Sequence, residues 1–452
     1  MNRQEILDLV KKSPHQKVRV AVTDIDGILR GKFLHKDKFL SAADGGFGFC
    51  DVVFGWDSSD VAYDNGSFTG WHTGYPDAQA RLDLNTYRPI PWNDSVPFFL
   101  GDFVDSKGAP LHVCPRQTLK SVIARAESMG CNPLYGMEFE WFNFRETPQS
   151  LEAKGYIRPE PITPGMFGYS LIRTTQNQPF FNALMDELLK FGVPVEGLHT
   201  ETGPGVYEAA ILYSNALEAA DRAVLFKTGA KEIGQRFGIM PSFMAKWNVD
   251  LPGCSGHIHQ SLADTKTGQN RFYDEKAQHK MSAEFKSFVA GQLHCLPEIL
   301  PFFAPTINSY KRLVDGYWAP TKVTWGVDNR TVALRVIPSG AKATRLETRV
   351  PGSDVNPYLG IAAALGAGLY GMEKKLELKH APIQGNGYTA PGTTKLPGSL
   401  QEATDRMAES KVAKEIFGEK FVGHFAETRY WEWKKFHAAV TSWEMKRYFE
   451  II

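Results

Sequence analysis

The chain has 452 residues, with 51 lysines and arginines against 50 aspartates and glutamates. That balance gives no electrostatic reason to expect nucleic acid or an anionic membrane as partner, and no apolar run is long enough to cross a bilayer. Hydrophobic residues at 43% suit an enzyme-sized globular protein of two domains, and five cysteines without CxxC spacing predict reduced thiols in a cytoplasm.

Met1–Val10 predicts a short amphipathic helix rather than a signal peptide. Lys17–Val22 alternates and is β-branched, and the turn at Asp24-Ile-Asp-Gly27 leads into a second strand through Leu29–Leu34. Gly45–Tyr75, rich in Gly, Asp, Ser and aromatics, predicts long ordered loops, with short strands near Tyr87–Arg88 and over Pro97–Val104. A boundary falls near Ala109–His112, giving units 1–110 and 111–452, because a helix opens at Pro115. Its Leu119, Val122, Ile123, Ala126 and Met129 form one stripe, and Gly130 closes it. Further helices are predicted over Asn177–Phe191, Asn215–Phe237, Ala283–His294, Tyr358–Lys374 and Ser399–Glu409, with an amphipathic helix over Arg429–Tyr448. Short strands between them give α+β or mixed α/β character.

Three of those strands carry the chemistry. In Tyr135–Phe144, Glu138 and Glu140 share one face while Met137, Phe139 and Trp141 take the other. His257 and His259 flank Ile258, and Arg345, Glu347 and Arg349 alternate with Leu346 and Thr348. Polar groups on one face and bulk on the other predict a sheet curved around a charged cavity. Glu201 and Glu208 stand on either side of a turn in which Gly203 and Gly205 permit a tight bend. Taken singly, each piece also reads as a capped turn, a satisfied core histidine or an ion pair.

Together the blocks resemble the glutamine synthetase family. Gly136-Met-Glu-Phe-Glu140, the Glu201–Glu208 block, Ser255-Gly-His-Ile-His-Gln-Ser-Leu262, Ser309-Tyr-Lys-Arg-Leu-Val314, Asp328-Asn-Arg330 and Arg345-Leu-Glu-Thr-Arg349 with Asn356-Pro-Tyr358 are similar to its motifs, in its order. The resemblance implies an α+β fold: a small amino-terminal β-grasp domain, then a catalytic domain whose curved antiparallel sheet holds the metals. It implies that Glu140, Glu201 and Glu208 hold one divalent ion and that Glu138, His257 and Glu347 hold a second. Such a donor set suits Mg²⁺ or Mn²⁺ better than zinc. By the same resemblance Arg330, Arg335 and Arg345 hold ATP phosphates or the phosphorylated intermediate, and Arg312 and Arg349 hold the carboxylates of L-glutamate. Lys342, Ser261, His259 and Tyr213 lie near the nucleotide, and Gly253 offers its carbonyl to the amino acid. The implied reaction phosphorylates the glutamate side chain with ATP, after which an amine attacks the acyl phosphate. Two stacked hexameric rings with sites between subunits are implied as well.

Two departures bear on the acceptor. The family's ammonia-using members read Arg-Leu-Val-Pro-Gly-Tyr-Glu-Ala-Pro in a flap; this chain reads Arg312-Leu-Val-Asp-Gly-Tyr-Trp-Ala-Pro320, so Trp318 replaces the acid. Tryptophan can close a site but cannot accept a proton. The family's Asp-Gly-Ser-Ser is matched only loosely by Gly55-Trp-Asp-Ser-Ser59, leaving the part of Asp57 open. The expectation is a γ-glutamyl–amine ligase, with an aromatic or apolar amine favoured because a free-base aromatic amine needs no general base. An aliphatic amine needs some other carboxylate. The alternatives are a glutamine synthetase using ammonia and a relative without catalysis. Pro252-Gly253 replaces an Asn-Gly ahead of Ser255, and Lys395-Leu-Pro-Gly-Ser399 lacks a counterpart of the adenylylated tyrosine, so no such control is expected.

Overall fold

The structure is a computed structural model that describes residues 1–452. Five strands form a first sheet: β1 Lys17–Thr23, β2 Leu29–His35, β3 Phe47–Cys50, β4 Asp77–Ile90 and β5 Val96–Val104, in the order β2-β1-β5-β4-β3. Only the β1–β5 pair is parallel; its register sets Arg19 beside Phe98. Helices Arg3–Lys12 and Lys36–Gly45 cover the sheet and bury Ile6, Val10 and Phe39 against Val20 and Phe99. This is the expected β-grasp arrangement.

Two details differ from the sequence expectation. The stretch read as loops contains β3 and a 3₁₀ turn over Asp51–Phe54. The short strand near Tyr87 is the end of the 14-residue β4, whose pairing shifts between Asp83 and Arg88. That bulge breaks the alternation, and polar Gln79, Arg81 and Asp83 mask the strand's apolar side.

The second sheet contains nine strands: β6 Cys131–Phe144, β7 Val195–Thr200, β8 Val206–Ile211, β9 Ser214–Asn215, β10 Met240–Ser242, β11 Gly256–Asp264, β12 Trp325–Val327, β13 Leu334–Ile337 and β14 Arg345–Thr348. Its main order is β12-β13-β14-β11-β6-β8-β7, with β9 and β10 pairing onto β6. All pairs except β12–β13 are antiparallel.

One face of this sheet is packed by helices. Phe139 and Trp141 lie against Phe226 of helix Ala216–Gln235. Helix Pro357–Glu373 is apolar nearly all round and buried, and its Gly371 meets Gly291 of helix Ala283–Cys295 so closely that a Cβ would strike the Ser287 carbonyl. A closed set of buried hydrogen bonds fixes the central strands to that layer: Gln260 donates to Thr348 (2.7 Å), Thr348 to Gln292 (2.8 Å) and Gln292 to Gln260 (2.8 Å). With this face filled, the alternate side chains of β6, β11 and β14 must point to the other.

The carboxyl-terminal helix also departs from expectation. The helix expected over Arg429–Tyr448 is divided between Glu419–Ala438, which begins earlier, and Ser442–Tyr448, which a Thr441 capping box restarts. Leu171–Gln176 forms a separate turn before Gln178–Lys190. The two sheets are joined tightly. Arg116, almost fully buried, donates to Asp83 and Asp102 of the first unit and to Asp221 of helix Ala216–Gln235.

Candidate functional site

The register of four strands assembles the charged face. Glu138 on β6 lies opposite His257 on β11, Glu140 on β6 opposite Glu208 on β8, and His259 on β11 opposite Glu347 on β14. Glu201 is delivered beside Glu208 by the β7–β8 turn, where Gly203 and Gly205 take positive φ and Gly205 has no room for a Cβ beneath the Asn143 carbonyl.

Two donor groups result. Glu140, Glu201 and Glu208 bring one oxygen each within 4.8 Å of one another, and Glu138, His259 and Glu347 do the same with two oxygens and a nitrogen. His257 adjoins the second group, its Nδ1 standing 3.2 Å from Glu138 and 3.5 Å from Glu347. Both histidines therefore converge on Glu138, and the buried Nε2 of His257 has no partner.

The electrostatics of the two groups differ. Burial raises the Glu140 carboxyl, with Arg312 opposing, and burial beside Glu138 and Glu140 pushes Glu208 up to about 7 despite its 3.1 Å contact with His199. Negative charge in this group is thus poorly compensated by the protein. In the second group burial opposes ionisation, but hydrogen bonds from His257 and His259 hold Glu138 well below its usual range, and Arg349 and His257 hold Glu347 at about 2. Hard oxygen donors with unbalanced charge fit a divalent cation.

The arginines ring this face. Arg335 donates to Glu347 at 2.9 Å and to Asp328 at 3.1 Å, and Arg345 donates to His259 at 3.2 Å. Arg349 contacts Glu347 and donates to the Arg330 carbonyl at 3.1 Å, while the Arg330 side chain is exposed. Arg312 is buried and donates to the Val350 carbonyl and the Ser255 hydroxyl, with no carboxylate in hydrogen-bond contact. Gly253 packs on Arg312 so tightly that a Cβ would meet the Ala245 carbonyl. Tyr213 and Lys342 are exposed, Tyr213 just before β9 and Lys342 in the β13–β14 turn, and Ser261 lies on β11 opposite Leu134. Asp57 is held by donors within its own chain. Its Oδ1 accepts from Ser59 and Val61, and its Oδ2 from Trp431.

Trp318 is 54% exposed with φ of +61°, an uncommon backbone state for a bulky residue, and Gly316 is also left-handed. Below it lies a residue that sequence reasoning missed. Burial raises the Tyr388 hydroxyl, and the charges of Arg349 and Arg312 oppose that rise. Tyr169, also missed, stacks on His199 at 4.3 Å and lies in the field of Glu208, Glu201 and Arg330. Both are single tyrosines in loops, where no periodicity marks them. A hollow of about 870 Å³ lined by His294, Trp325 and His380 contains none of these side chains.

The profile of the glutamine synthetase catalytic domain matches residues 112–448. Type-1 glutamine synthetase 2 of Dictyostelium discoideum is 60% identical over 456 residues, covering 100% of this chain and 87% of the relative. A glutamate–isopropylamine ligase of a Pseudomonas species is 37% identical over 457 residues, covering 100% of this chain and 99% of the relative. Among solved structures, an ADP complex of GmaS superposes with a TM-score of 0.86 at 26% identity, covering 98% of this chain and 99% of that one. The chain belongs to the glutamine synthetase family of ATP-dependent glutamate ligases, which use divalent metals, and stands with that family's γ-glutamyl-amine branch.

Proposed function

We propose that the protein joins the γ-carboxylate of L-glutamate to an organic amine through γ-glutamyl phosphate, releasing ADP and phosphate. The observation that carries this reading is an intact donor face beneath an altered flap: six acid and imidazole side chains converge, while Trp318 stands where an acid would serve ammonia. The isopropylamine ligase among its relatives supports an organic acceptor.

In this proposal Glu140, Glu201 and Glu208 hold one ion and Glu138, His257 and Glu347 another, Mg²⁺ or Mn²⁺ being the fitting metals. When bound, such ions neutralise phosphate oxygens and clamp a transferring phosphoryl group. Arg335 and Arg345 orient the ATP phosphates from the β13–β14 side, with Lys342, Ser261, His259 and Tyr213 toward the nucleotide. Arg330 and Arg349 stabilise charge on the acyl phosphate as it forms, a task suited to planar guanidinium groups. Arg312, Arg349 and the Gly253 carbonyl hold glutamate, and Trp318 closes the mouth against water. Exposed apolar residues such as Trp443, Phe449 and Ile452 support an oligomer, which we place as two stacked hexameric rings.

A second reading, glutamine synthesis from ammonia, is favoured by the 60% identity to the Dictyostelium relative. An amine panel decides. Purified protein with ATP, Mg²⁺ or Mn²⁺ and L-glutamate is assayed for phosphate release and amide mass with ammonia, alkylamines, diamines, ethanolamine and anilines. A γ-glutamyl amide with ammonia far poorer is the expected result. Glutamine as main product overturns it.

A further inference from the structure

Arg330 enters the proposed chemistry as an exposed guanidinium on the connection from β12 to β13. An arginine that stabilises a forming acyl phosphate must start from a fixed backbone, because its own side chain rotates freely. The strand ladder does not supply that. It ends at the Asp328 amide, which donates to the Val336 carbonyl at 2.9 Å, and Asp328 then turns left-handed with φ of +49°.

Side chains take over from there. Asn329 directs both amide hydrogens to one neighbouring segment, donating to the Ile383 carbonyl at 3.1 Å and the Gly385 carbonyl at 2.8 Å. Its Oδ1 accepts from the Thr331 amide at 2.9 Å and the Thr331 hydroxyl at 2.7 Å, and that hydroxyl accepts from the Gly387 amide at 2.8 Å. Only one orientation of the Asn329 amide meets two carbonyls and two donors in this way. The segments touch backbone to backbone. A Cβ on Gly387 would stand 2.5 Å from the Thr331 carbonyl, and one on Gly326 would stand 3.0 Å from both the Asn329 Cβ and the Ile383 carbonyl. From the other side the Arg349 Nε donates to the Arg330 carbonyl at 3.1 Å, and the same guanidinium contacts Glu347 of the donor face. Arg330 is thereby held between the donor face and segment 383–387.

We propose that Asn329 is a positioning residue for phosphoryl transfer, fastening the Arg330 backbone to segment 383–387 through a stitch shared with Thr331. This rests on the reading of the chain as a glutamate–amine ligase in which Arg330 stabilises the acyl phosphate. In that step a γ-carboxylate oxygen of glutamate bonds to the γ-phosphorus of ATP. The bond from that phosphorus to the bridging oxygen breaks, and ADP leaves with the electron pair. Arg330 meets the charge on the transferring oxygens, and Asn329 touches neither reactant. A nitrogen nucleophile then displaces phosphate from the γ-carbonyl carbon and loses one proton to it.

The test uses hydroxylamine as acceptor, because it is largely unprotonated at neutral pH and traps acyl phosphates whatever amine the protein prefers. Formation of γ-glutamyl hydroxamate is followed with ATP, Mg²⁺ and L-glutamate. Asn329→Ala should lower kcat about 100-fold, the scale of a misplacement of about 1 Å, while KM for ATP and for glutamate changes less than about threefold. Asn329→Asp keeps the acceptor for Thr331 but loses both donors to segment 383–387, and should fall as far. Thr331→Val should lower kcat about tenfold. Thr331→Ser, which keeps the hydroxyl, should recover most of that loss. In an Arg330→Ala background, Asn329→Ala should cost less than about threefold more, since the group it positions is gone. The rise in melting temperature that Mn²⁺ gives should persist in Asn329→Ala, as it does with an intact donor face. An unchanged kcat in Asn329→Ala, or a loss repeated in full in the Arg330→Ala background, overturns the proposal and leaves the ligase reading intact. Loss of the Mn²⁺ response assigns Asn329 to the fold at large and overturns it as well. A wild type that forms no hydroxamate refutes the ligase reading, and the proposal falls with it.

Discussion

Glu140 and Glu208 face each other directly across the β6–β8 pair, two acids where a sheet ordinarily avoids like charge. Burial raises both carboxyls, Glu208 to about 7, and Arg312 and His199 offset this only in part. A protein bearing that cost without a cation should be stabilised by losing one charge. Glu208→Gln keeps an oxygen for the His199 hydrogen bond, so the metal-free variant should gain about 1 kcal/mol in urea unfolding. It should also lose most of the thermal stabilisation that Mn²⁺ gives the wild type. A metal-free variant less stable than wild type would contradict the repulsion.

The same raised carboxyls set the direction of a pH effect. A group whose folded pKa lies above its unfolded value contributes stability at low pH and loses it as pH rises through the folded value. The metal-free protein should therefore lose this contribution between about pH 4.5 and 7. Cation binding must displace those protons, so Mn²⁺ affinity measured by calorimetry should climb through the same window, by up to about tenfold per pH unit for each proton released. Affinity that is flat with pH would mean that the acids are ionised before the metal arrives.

The strands that carry the site were legible because their alternation is strict and the intervening residues are bulky: Met137, Phe139 and Trp141 could only face a core. Which acid would meet which partner was not legible, since that depends on register. The pairing of Glu140 with Glu208, and of Glu138 with His257, follows from strands distant in sequence. The donor sets came from resemblance to a family, and the structure brings both histidines to Glu138, which spacing alone could not decide. β4 was under-read because its bulge interrupts the period, and Tyr388 was missed because only the fold buries its hydroxyl within the field of Arg349 and Arg312.

The substitution of Trp318 should govern acceptor choice. Placing an acid there with Trp318→Glu removes the apolar cover and supplies a proton acceptor on the flap. Relative kcat/KM for ammonia over isopropylamine should rise at least about tenfold, a difference of about 1.4 kcal/mol. A proportional fall with both acceptors would show that the indole serves flap closure alone.

Arg116 ties the first sheet to helix Ala216–Gln235. Its guanidinium, about 1% exposed, satisfies Asp83, Asp102 and Asp221, and Tyr358 adds a 2.6 Å hydrogen bond to Asp221. Arg116→Met would leave buried acids without their counter-ion, a loss of about 3–5 kcal/mol. Adding Asp221→Asn should recover part of it, because the deepest orphaned charge is then gone. Urea unfolding of the two variants measures both, and additive losses would mean that the groups are not coupled.

His424 should control the acid limit of stability. It lies on helix Glu419–Ala438 against Phe54 and Phe68 of the first unit, and neither ring nitrogen has a partner. Burial, with repulsion from nearby His112 and Arg429, pushes it down to about 3. Because the folded value is depressed, the unfolded chain binds the extra proton, so stability is lost as pH falls from about 6.5 toward 3. The slope approaches about 1.4 kcal/mol per pH unit once the unfolded histidine is charged. His424→Leu removes the titrating group and fills the same apolar space. Its stability at pH 7 should match or exceed wild type, and its urea midpoint should fall less steeply between pH 6 and 4. Parallel profiles for the two proteins would assign acid sensitivity to the carboxylates that meet Arg116 and Arg429 instead.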